Sequence, residues 1–340
     1  MLHRRVSIYL WVAGLIIFLA ARPVLGQDRI RLGLSAISAT SGSIWVAEEK
    51  RLFKKHGVDV EVVFIGGGAS RVVSSLLAGE IQFSVGGGDA VIRAALRGGD
   101  TILAVSPINR GLQRLIVRPD IKRPAELKGK RVAITRFGSA SQWVLQLIMR
   151  KWGMRPEDIQ ILQLGSSPAM FASLEKGGVE GAILTMPSFF VAEDRGFRTL
   201  ADPGEMDIYY LQNSIDTTRG YLRSHRNQAI RFTKGIIEGI AYFKKHKKES
   251  LEVLQKKLRI QSAQEKDIKY LEASYNLLAT KFYSQVPYAS PKAIETSLEF
   301  ISAEEPKARG ADARLFVDES IVREIEATGF IKMLYETEYR

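Results

Sequence analysis

The chain contains few of the residue types that catalyse reactions or bind metals. It has no cysteine and only four histidines, which excludes disulfides, thiolate metal sites and a cysteine nucleophile. His56, His225 and His246 lie far apart in sequence beside lysines or arginines, so we expect all three to be exposed. None has a second ligand at the spacing of a metal-binding helix, and no GxSxG sequence marks a serine nucleophile. We therefore expect no catalytic residue, no metal site and no cofactor.

Two glycine-rich segments, 66–68 and 86–88, each follow a predicted strand and precede a predicted helix. Dinucleotide-binding loops have the same arrangement. However, Arg71 and Val91 stand where the GxGxxG pattern requires its last glycine, and neither segment carries the lysine of a phosphate-binding P-loop. The sequence therefore gives nucleotide binding little support.

Loops of serine, threonine and glycine follow five predicted strands and lead into helices, at 38–43, 66–70, 86–89, 137–141 and 165–167. Helix N-termini offer unpaired N–H groups and a partial positive charge, which favour anions, and hydroxyl groups add neutral donors. Ligands of open α/β sheets bind at the carboxyl ends of the strands, where these loops lie. Helix capping explains any one loop, whereas several converging loops predict a cleft lined with hydrogen-bond donors.

Strand and helix patterns alternate with short connections, which predicts an α/β fold with mostly parallel sheets covered on both faces. The alternation breaks after residue 105 and restarts at residue 131. Segment 75–81 recurs as segment 173–179, with serine, leucine and glycine at equivalent positions and an offset of 98. This weak repeat favours two similarly built lobes over one large sheet. From about residue 225 the chain is predicted to be mostly helical.

The composition is that of an ordinary globular chain with a basic excess. The 340 residues, 46% hydrophobic and 25% charged, suggest two domains, and the formal charge of +12 could indicate nucleic acid or membrane partners. Residues 1–26 combine a basic start with an apolar run of 16 residues, 6–21, and small residues before Gln27. We interpret them as a signal peptide cleaved between Gly26 and Gln27; the alternative, an uncleaved anchor, needs a longer run.

Cleavage leaves 46 basic and 37 acidic residues, a charge of +9. We expect the remainder to be exported to the periplasm, without a lipid anchor because no cysteine is present. An exported protein does not encounter chromosomal DNA, so we expect no nucleic-acid partner.

Segment 46–61, VAEEKRLFKKHGVDVE, resembles a segment of the periplasmic substrate-binding proteins of the nitrate/sulfonate/taurine type, which serve ABC importers. Segments 74–83, 117–133 and 153–159 resemble the same family. The resemblance implies the type II periplasmic binding protein fold, in which two crossover strands join two α/β lobes and the lobes close on a ligand by hinge motion. It implies lobe 1 at 27–111 and 218–340 and lobe 2 at 112–217, a monomer, a small-molecule solute and an inner-membrane ABC permease as partner.

Motif positions in this family imply the residues that would contact the ligand. They are Thr40, Ser41, Gly68, Ala69, Ser70, Gly88, Asp89, Phe137, Gly138, Ser139, Ser141, Thr185, Met186 and Pro187. Arg110 and Arg136 lie beside these loops and could bind a carboxylate or sulfonate bidentately, or else extend into solvent.

The sequence does not determine the identity of the ligand. Asp89 stands where a small or neutral residue is expected, so it either caps its own helix or faces the cleft, where it would favour N–H donors. Candidates are a sulfonate, a nitrate-like anion, a carboxylate, an aromatic acid, an amine or a pyrimidine. The alternatives to an import protein are an enzyme related to thiamine-pyrimidine synthesis, whose cysteine-rich iron motif is absent here, and a ligand receptor for a sensor protein.

Overall fold

The structure is a computed structural model that describes residues 28–260 and 265–336. The predicted signal peptide, 1–26, lies outside these described residues. The described strands are β1 (Asp28–Leu34), β2 (Val58–Phe64), β3 (Phe83–Gly86), β4 (Thr101–Val105), β5 (Ile108–Arg110), β6 (Arg114–Val117), β7 (Arg131–Ile134), β8 (Gln160–Gln163), β9 (Gly181–Leu184), β10 (Arg198–Ala201), β11 (Tyr209–Gln212) and β12 (Ser214–Thr218).

The α-helices lie between these strands and, in the described part of the chain, after β12. They are α1 (Gly42–Glu49), α2 (Leu52–Lys55), α3 (Ala69–Leu77), α4 (Gly88–Leu96), α5 (Ala140–Lys151), α6 (Ser167–Glu175), α7 (Ser188–Asp194), α8 (Arg219–Ser224), α9 (Arg226–Lys245), α10 (Lys247–Lys257), α11 (Glu265–Leu277), α12 (Pro291–Ile301), α13 (Ser320–Ala327) and α14 (Phe330–Glu336). No helix in this part of the chain is both long and apolar enough to cross a bilayer.

Ten of these strands form two five-stranded sheets with the same arrangement. The first has the order β2-β1-β3-β12-β4, and the second, read from its far edge, has the order β8-β7-β9-β6-β10. In each sheet four strands run in one direction, and the fourth strand of the order, β12 or β6, runs antiparallel to its neighbours. The prediction of two similar, mostly parallel sheets flanked by helices is confirmed.

The internal repeat seen in the sequence is a structural repeat. Helix α6 starts 98 residues after α3, and strand β9 starts 98 residues after β3, the offset that the serine, leucine and glycine matches predict. In each lobe this unit is a helix that ends near a glycine with positive φ, Gly79 or Gly177, and a short strand buried along its whole length. The two glycines stop equivalent helices and direct the chain into equivalent central strands.

Strands β5 and β11 form a two-stranded antiparallel ribbon between the sheets. The chain leaves the first sheet through β5 and returns through β11. Strand β12 follows directly and pairs with β3 and β4 of the first sheet. The sequence-based division at residue 217 would separate most of β12 from that sheet, so we propose that the return to lobe 1 occurs at Asn213.

Buried apolar side chains cover both faces of the sheets because helices pack on each side. Helix α9 is the longest element and lies across α1, with Ile236, Ile240 and Phe243 fully buried as their spacing predicts. Gly239 makes this close approach possible: a Cβ atom there would lie 2.5 Å from the carbonyl oxygen of Ser43. The C-terminal helices thereby support the first loop of the predicted cleft.

The segment that carries the family resemblance has a structural role. The predicted helix over 44–56 is broken at Arg51, whose φ of 56° is left-handed, so α1 and α2 are separate. Lys55 Nζ lies 2.5 Å from one carboxylate oxygen of buried Glu238 on α9, and His56 Nε2 lies 2.7 Å from the other. The segment therefore anchors α2 to the C-terminal helices.

The prediction that all three histidines are exposed is wrong for two of them. The His56 side chain is only 12% exposed, and half-buried His246 stacks on Tyr242 with ring centroids 4.0 Å apart. His225 is exposed as predicted. The sequence did not show that α9 and α10 bring apolar and acidic partners to these rings.

Candidate functional site

The loop after β1 presents three buried hydroxyl groups, those of Ser38, Thr40 and Ser41, all at most 7% exposed. Two residues from distant parts of the chain hold it. Asn213 Nδ2, between β11 and β12, donates to Thr40 Oγ1 at 2.9 Å and to Ser41 Oγ at 3.3 Å. Tyr283 Oη donates to the carbonyl oxygen of Thr40 at 2.9 Å. The loop is therefore fixed from the crossover on one side and from the C-terminal region on the other.

The second contribution of lobe 1 is the N-terminus of α3. Gly68 is its N-cap residue, with φ of 82°, and no side chain caps the helix. Ala69 is buried and Ser70 is exposed. No acidic residue occupies the first turn, so the partial positive charge of this helix end is not neutralised locally.

Lobe 2 contributes a cluster of hydroxyl groups before α5. The side-chain oxygens of Thr135, Ser139 and Ser141 lie 2.8–2.9 Å from one another, and Ser139 donates to the carbonyl oxygen of Arg136 at 2.6 Å. These mutual bonds fix the loop that begins the helix. The α5 N-terminus likewise has no side-chain cap and no acidic residue in its first turn.

The amide groups of the exposed loop tip are already used. Phe137 N donates to Gln163 Oε1 at 2.9 Å, and Gly138 N donates to Gln142 Oε1 at 2.5 Å. A ligand of this loop would therefore bind the first N–H groups of α5 rather than those of the tip. Residues Phe137 and Gly138 are exposed, whereas Ser139 and Ser141 are buried.

The two helix N-termini lie close together across the lobes. A Cβ atom on Gly68 would lie 3.7 Å from Ser139 Cβ, and one on Gly138 would lie 3.3 Å from Ser70 Oγ. The predicted loops of both lobes thus converge, and they bring two uncapped helix ends together. Two such helix ends favour a negative charge bound beside both of them.

The segment Thr185-Met186-Pro187 lies at the carboxyl end of β9, on the same side. Thr185 Oγ1 lies 3.4 Å from Ser38 Oγ of lobe 1, and Thr185 N donates to Ser167 Oγ at 2.8 Å. Met186 is buried and joins Pro187 through a cis peptide bond. Within this segment, the Thr185 hydroxyl group therefore makes the polar contact with the opposite lobe.

Asp89, whose role the sequence left open, is bound inside the fold. It is 3% exposed, and its Oδ1 accepts a 2.9 Å hydrogen bond from Tyr210 Oη on β11. Burial raises the pKa of Asp89 to about 7, although the Tyr210 hydrogen bond and nearby Arg93 oppose that shift. Its neighbour Gly88 packs against Leu211 of the same strand. These two predicted residues therefore contact the crossover ribbon.

The two predicted arginines differ in their surroundings. Arg110 is half-buried on β5; its guanidinium lies 5.2 Å from the Tyr209 ring centre and donates weakly to the carbonyl oxygen of Gly204 at 3.4 Å. Arg136 is exposed. Of these two arginines, Arg136 is therefore the one whose side chain is open to solvent at the rim of the loops.

The sequence predicted the loop that contains Ser38 but gave no indication of Thr135 or, above all, of Asn213. The available signal for Asn213 was an asparagine between two predicted strands, a residue type that tolerates the left-handed backbone observed there, φ 52°.

Two buried glutamines lie beside the two crossovers. The side-chain oxygens of Gln113 and Gln212 have no partner among the described residues.

Two further features of the described residues are the lack of a metal-binding cluster and a depression in lobe 1. The described residues include no group of three or more histidine, aspartate and glutamate side chains suited to a metal ion. A depression of about 1040 Å³ lies in lobe 1 beside Asp100, Arg219 and Arg223, and it shares no residue with the converging loops. We therefore place the candidate site at the converging loops, because these loops carry the hydrogen-bond donors.

Comparisons with known proteins agree with this arrangement. The model of the family described as NMT1/THI5 like matches residues 39–250. The taurine-binding periplasmic protein of Escherichia coli K12 is 27% identical over 153 residues, which are 44% of this chain and 47% of that protein. This chain thus spans about half the length of the curated relatives that it matches.

Two solved structures have the same fold. The periplasmic aliphatic sulphonate binding protein SsuA of Escherichia coli aligns with a TM-score of 0.69 at 20% identity, over 86% of this chain and 92% of that one. The periplasmic nitrate-binding protein NrtA of Synechocystis PCC 6803 aligns with a TM-score of 0.65 at 13% identity, over 92% of each chain. The fold predicted from the resemblance is confirmed.

Proposed function

The chain belongs to the NMT1/THI5-like family, and on that premise we propose that it is a periplasmic solute-binding protein. It captures a small solute that carries an oxyanion, such as a sulfonate, nitrate or carboxylate, between its two lobes. It acts as a monomer and delivers the solute to an ABC permease of the inner membrane. The relatives described as taurine-binding, sulphonate-binding and nitrate-binding proteins support this proposal.

One observation carries the proposal: the uncapped N-termini of α3 and α5 lie close together across the lobes, at Gly68 and Ser139. An anion bound beside both ends would receive N–H donors and favourable dipole ends from both lobes at once. Separation of the lobes would remove half of these donors. The anion therefore favours the closed arrangement by its additional contacts with that state.

The described residues around this region supply hydrogen-bond donors. Thr40, Ser41 and Thr185 provide hydroxyl groups, and exposed Arg136 adds positive charge at the rim. The buried carboxyl group of Asp89 is hydrogen-bonded to Tyr210, and that of Asp216 on β12 accepts from Ser84 at 3.3 Å. This distribution favours binding and release of a solute over its chemical conversion.

A thermal-shift screen of residues 27–340 tests the proposal. The panel should contain taurine, alkanesulfonates, nitrate, carboxylates, alkylamines and pyrimidines. A ligand at 100 times its Kd stabilises the folded state by about 2.7 kcal/mol, so we expect a clear rise in Tm with at least one oxyanion. Stabilisation by amines or pyrimidines alone would contradict the proposal.

Two further outcomes separate the alternatives. Recovery of the bound solute unchanged after prolonged incubation is expected for a binding protein, whereas catalytic turnover would identify an enzyme on the same scaffold. Solute uptake by cells that depends on the permease supports import. A response that needs a sensor protein and no permease would instead indicate a receptor.

A further inference from the structure

The hydroxyl groups of Thr40 and Ser41 are both hydrogen-bonded to one side-chain amide. Asn213 Nδ2 lies 2.9 Å from Thr40 Oγ1 and 3.3 Å from Ser41 Oγ. Nδ2 carries two hydrogens and no lone pair that can accept, so it donates to each oxygen. Both hydroxyl oxygens therefore act as acceptors toward Asn213.

Because both hydroxyl oxygens accept from Asn213, both hydroxyl hydrogens remain available for donation to another acceptor. Thr40 is 4% and Ser41 is 2% exposed, and neither hydroxyl donates to any acceptor within residues 28–260 and 265–336. A buried donor without an acceptor is costly. Two such donors on adjacent residues, in a loop that faces the opposite lobe, are matched by a ligand that offers hydrogen-bond acceptors.

The neighbouring groups leave these hydroxyl hydrogens unused. The Asn213 amide has Nδ2 toward the hydroxyl groups and Oδ1 at 3.5 Å from Gln212 Nε2. On the other side of the loop, Tyr283 Oη donates to Thr40 O and accepts from Ser43 N at 3.2 Å. Neither contact provides an acceptor for the two hydroxyl hydrogens.

We infer that Asn213 is a positioning residue that directs the Thr40 and Ser41 hydroxyl hydrogens toward the bound solute. Lobe 1 then offers donors at this point, so the solute group bound there is an acceptor such as a sulfonate, nitrate or carboxylate oxygen. This inference rests on the proposed function and specifies which group of the solute contacts the loop. It also connects solute contact to the crossover, since Asn213 joins β11 to β12.

Replacement of the amide by a carboxylate tests the direction of these bonds. Asp at position 213 has a similar shape but only accepts, so Asn213→Asp would draw both hydroxyl hydrogens away from the solute. With methanesulfonate as probe, which has acceptors and no N–H group, we expect Kd measured by calorimetry to rise at least about tenfold. Asn227→Asp, at an exposed position of α9, makes the same charge change and should leave Kd unchanged.

A second set of variants separates hydroxyl orientation from simple charge repulsion. In a Thr40→Val, Ser41→Ala background, an effect transmitted through the hydroxyls disappears, so Asn213→Asp should change Kd less than about twofold further. An equal loss in both backgrounds, or unchanged affinity in Asn213→Asp alone, would overturn the inference and leave oxyanion binding intact. Failure of the unaltered protein to bind any of the sulfonates, nitrate or carboxylates of the panel would overturn the proposed function itself. Near-UV circular dichroism and Tm of each variant identify any that fail to fold.

Discussion

Ser38 Oγ of lobe 1 lies 3.4 Å from Thr185 Oγ1 of lobe 2. The first residue follows β1 and the second follows β9, so the contact joins the carboxyl ends of strands from both sheets. Together with the contacts of Gly68 with Ser139 and of Gly138 with Ser70, it brings the donor loops of both lobes around one region. Changes on these facing surfaces should therefore alter solute binding more than they alter stability.

A large side chain at Ser70 should hinder approach of the lobes. Ser70 is exposed on the first turn of α3 and faces Gly138, so Ser70→Phe is expected to raise the solute Kd by about tenfold or more with little change in Tm. Calorimetry and a thermal scan measure the two quantities. Ser74→Phe, one helical turn further and also exposed, is the matched control. Equal effects of both variants would contradict the predicted closure.

Removal of the rim charge at Arg136 should weaken binding of an anion in a salt-dependent way. Arg136 is exposed, so its interaction with a solute is screened by ions. We expect Arg136→Ala to reduce the association rate about two- to fivefold at low ionic strength and to have little effect near about 0.5 M salt. Stopped-flow binding at several salt concentrations measures this, with exposed Lys54→Ala as control. A rate that is unchanged at low salt would remove Arg136 from the solute path.

Neutralisation of Asp89 should flatten the dependence of stability on pH. Burial raises the pKa of Asp89 from 3.8 to about 7, so the folded protein keeps a proton that the unfolded chain releases. The stabilising contribution is complete below about pH 4 and is lost as pH rises toward 7. At pH 8 we expect Asp89→Asn to be more stable than the unaltered protein by about 1 kcal/mol or more. Denaturant unfolding from pH 4 to 8 measures this, and exposed Asp120→Asn should follow the unaltered protein.

Loss of the ion pair between Arg131 and Glu180 should lower the free energy of unfolding at neutral pH and have little effect at acidic pH. Arg131 Nη2 lies 2.5 Å from Glu180 Oε1, and this hydrogen bond lowers the pKa of Glu180 to about 2. The contribution is present above pH 4.5 and is lost as pH falls toward 2. We expect Glu180→Gln to cost roughly 1–2 kcal/mol at pH 7 and progressively less below pH 4. Exposed Glu157→Gln is the control, and a cost independent of pH would contradict the prediction.

A methyl group at Gly87 should displace the hydroxyl group of Tyr210. A Cβ atom there would lie 2.0 Å from Tyr210 Oη, and the φ of −76° suits any residue, so the conflict is purely steric. We expect Gly87→Ala to destabilise the fold by about 1–3 kcal/mol. The loss should be smaller in a Tyr210→Phe background, measured by denaturant unfolding as a double-mutant cycle. Additive losses would show that the strain has another source.

The sequence alone determined the α/β class, the two similar lobes and the loops at which solute binding is proposed. These features depend on signals a few residues long: the period of apolar residues, the glycines that end helices, and hydroxyl groups after strands. The offset of 98 between segments 75–81 and 173–179 predicted the repeat because both copies keep the same local pattern.

Only the tertiary structure decided which distant side chains position these loops. Asn213 binds Thr40 from 173 positions away, Tyr283 binds the same loop from 243 positions away, and Tyr210 binds Asp89 across 121 positions. No local pattern encodes such pairs, because each depends on how β11, β12 and the C-terminal helices pack against lobe 1. The loops were therefore predictable from the chain, whereas the direction of their hydrogen bonds was set by the fold.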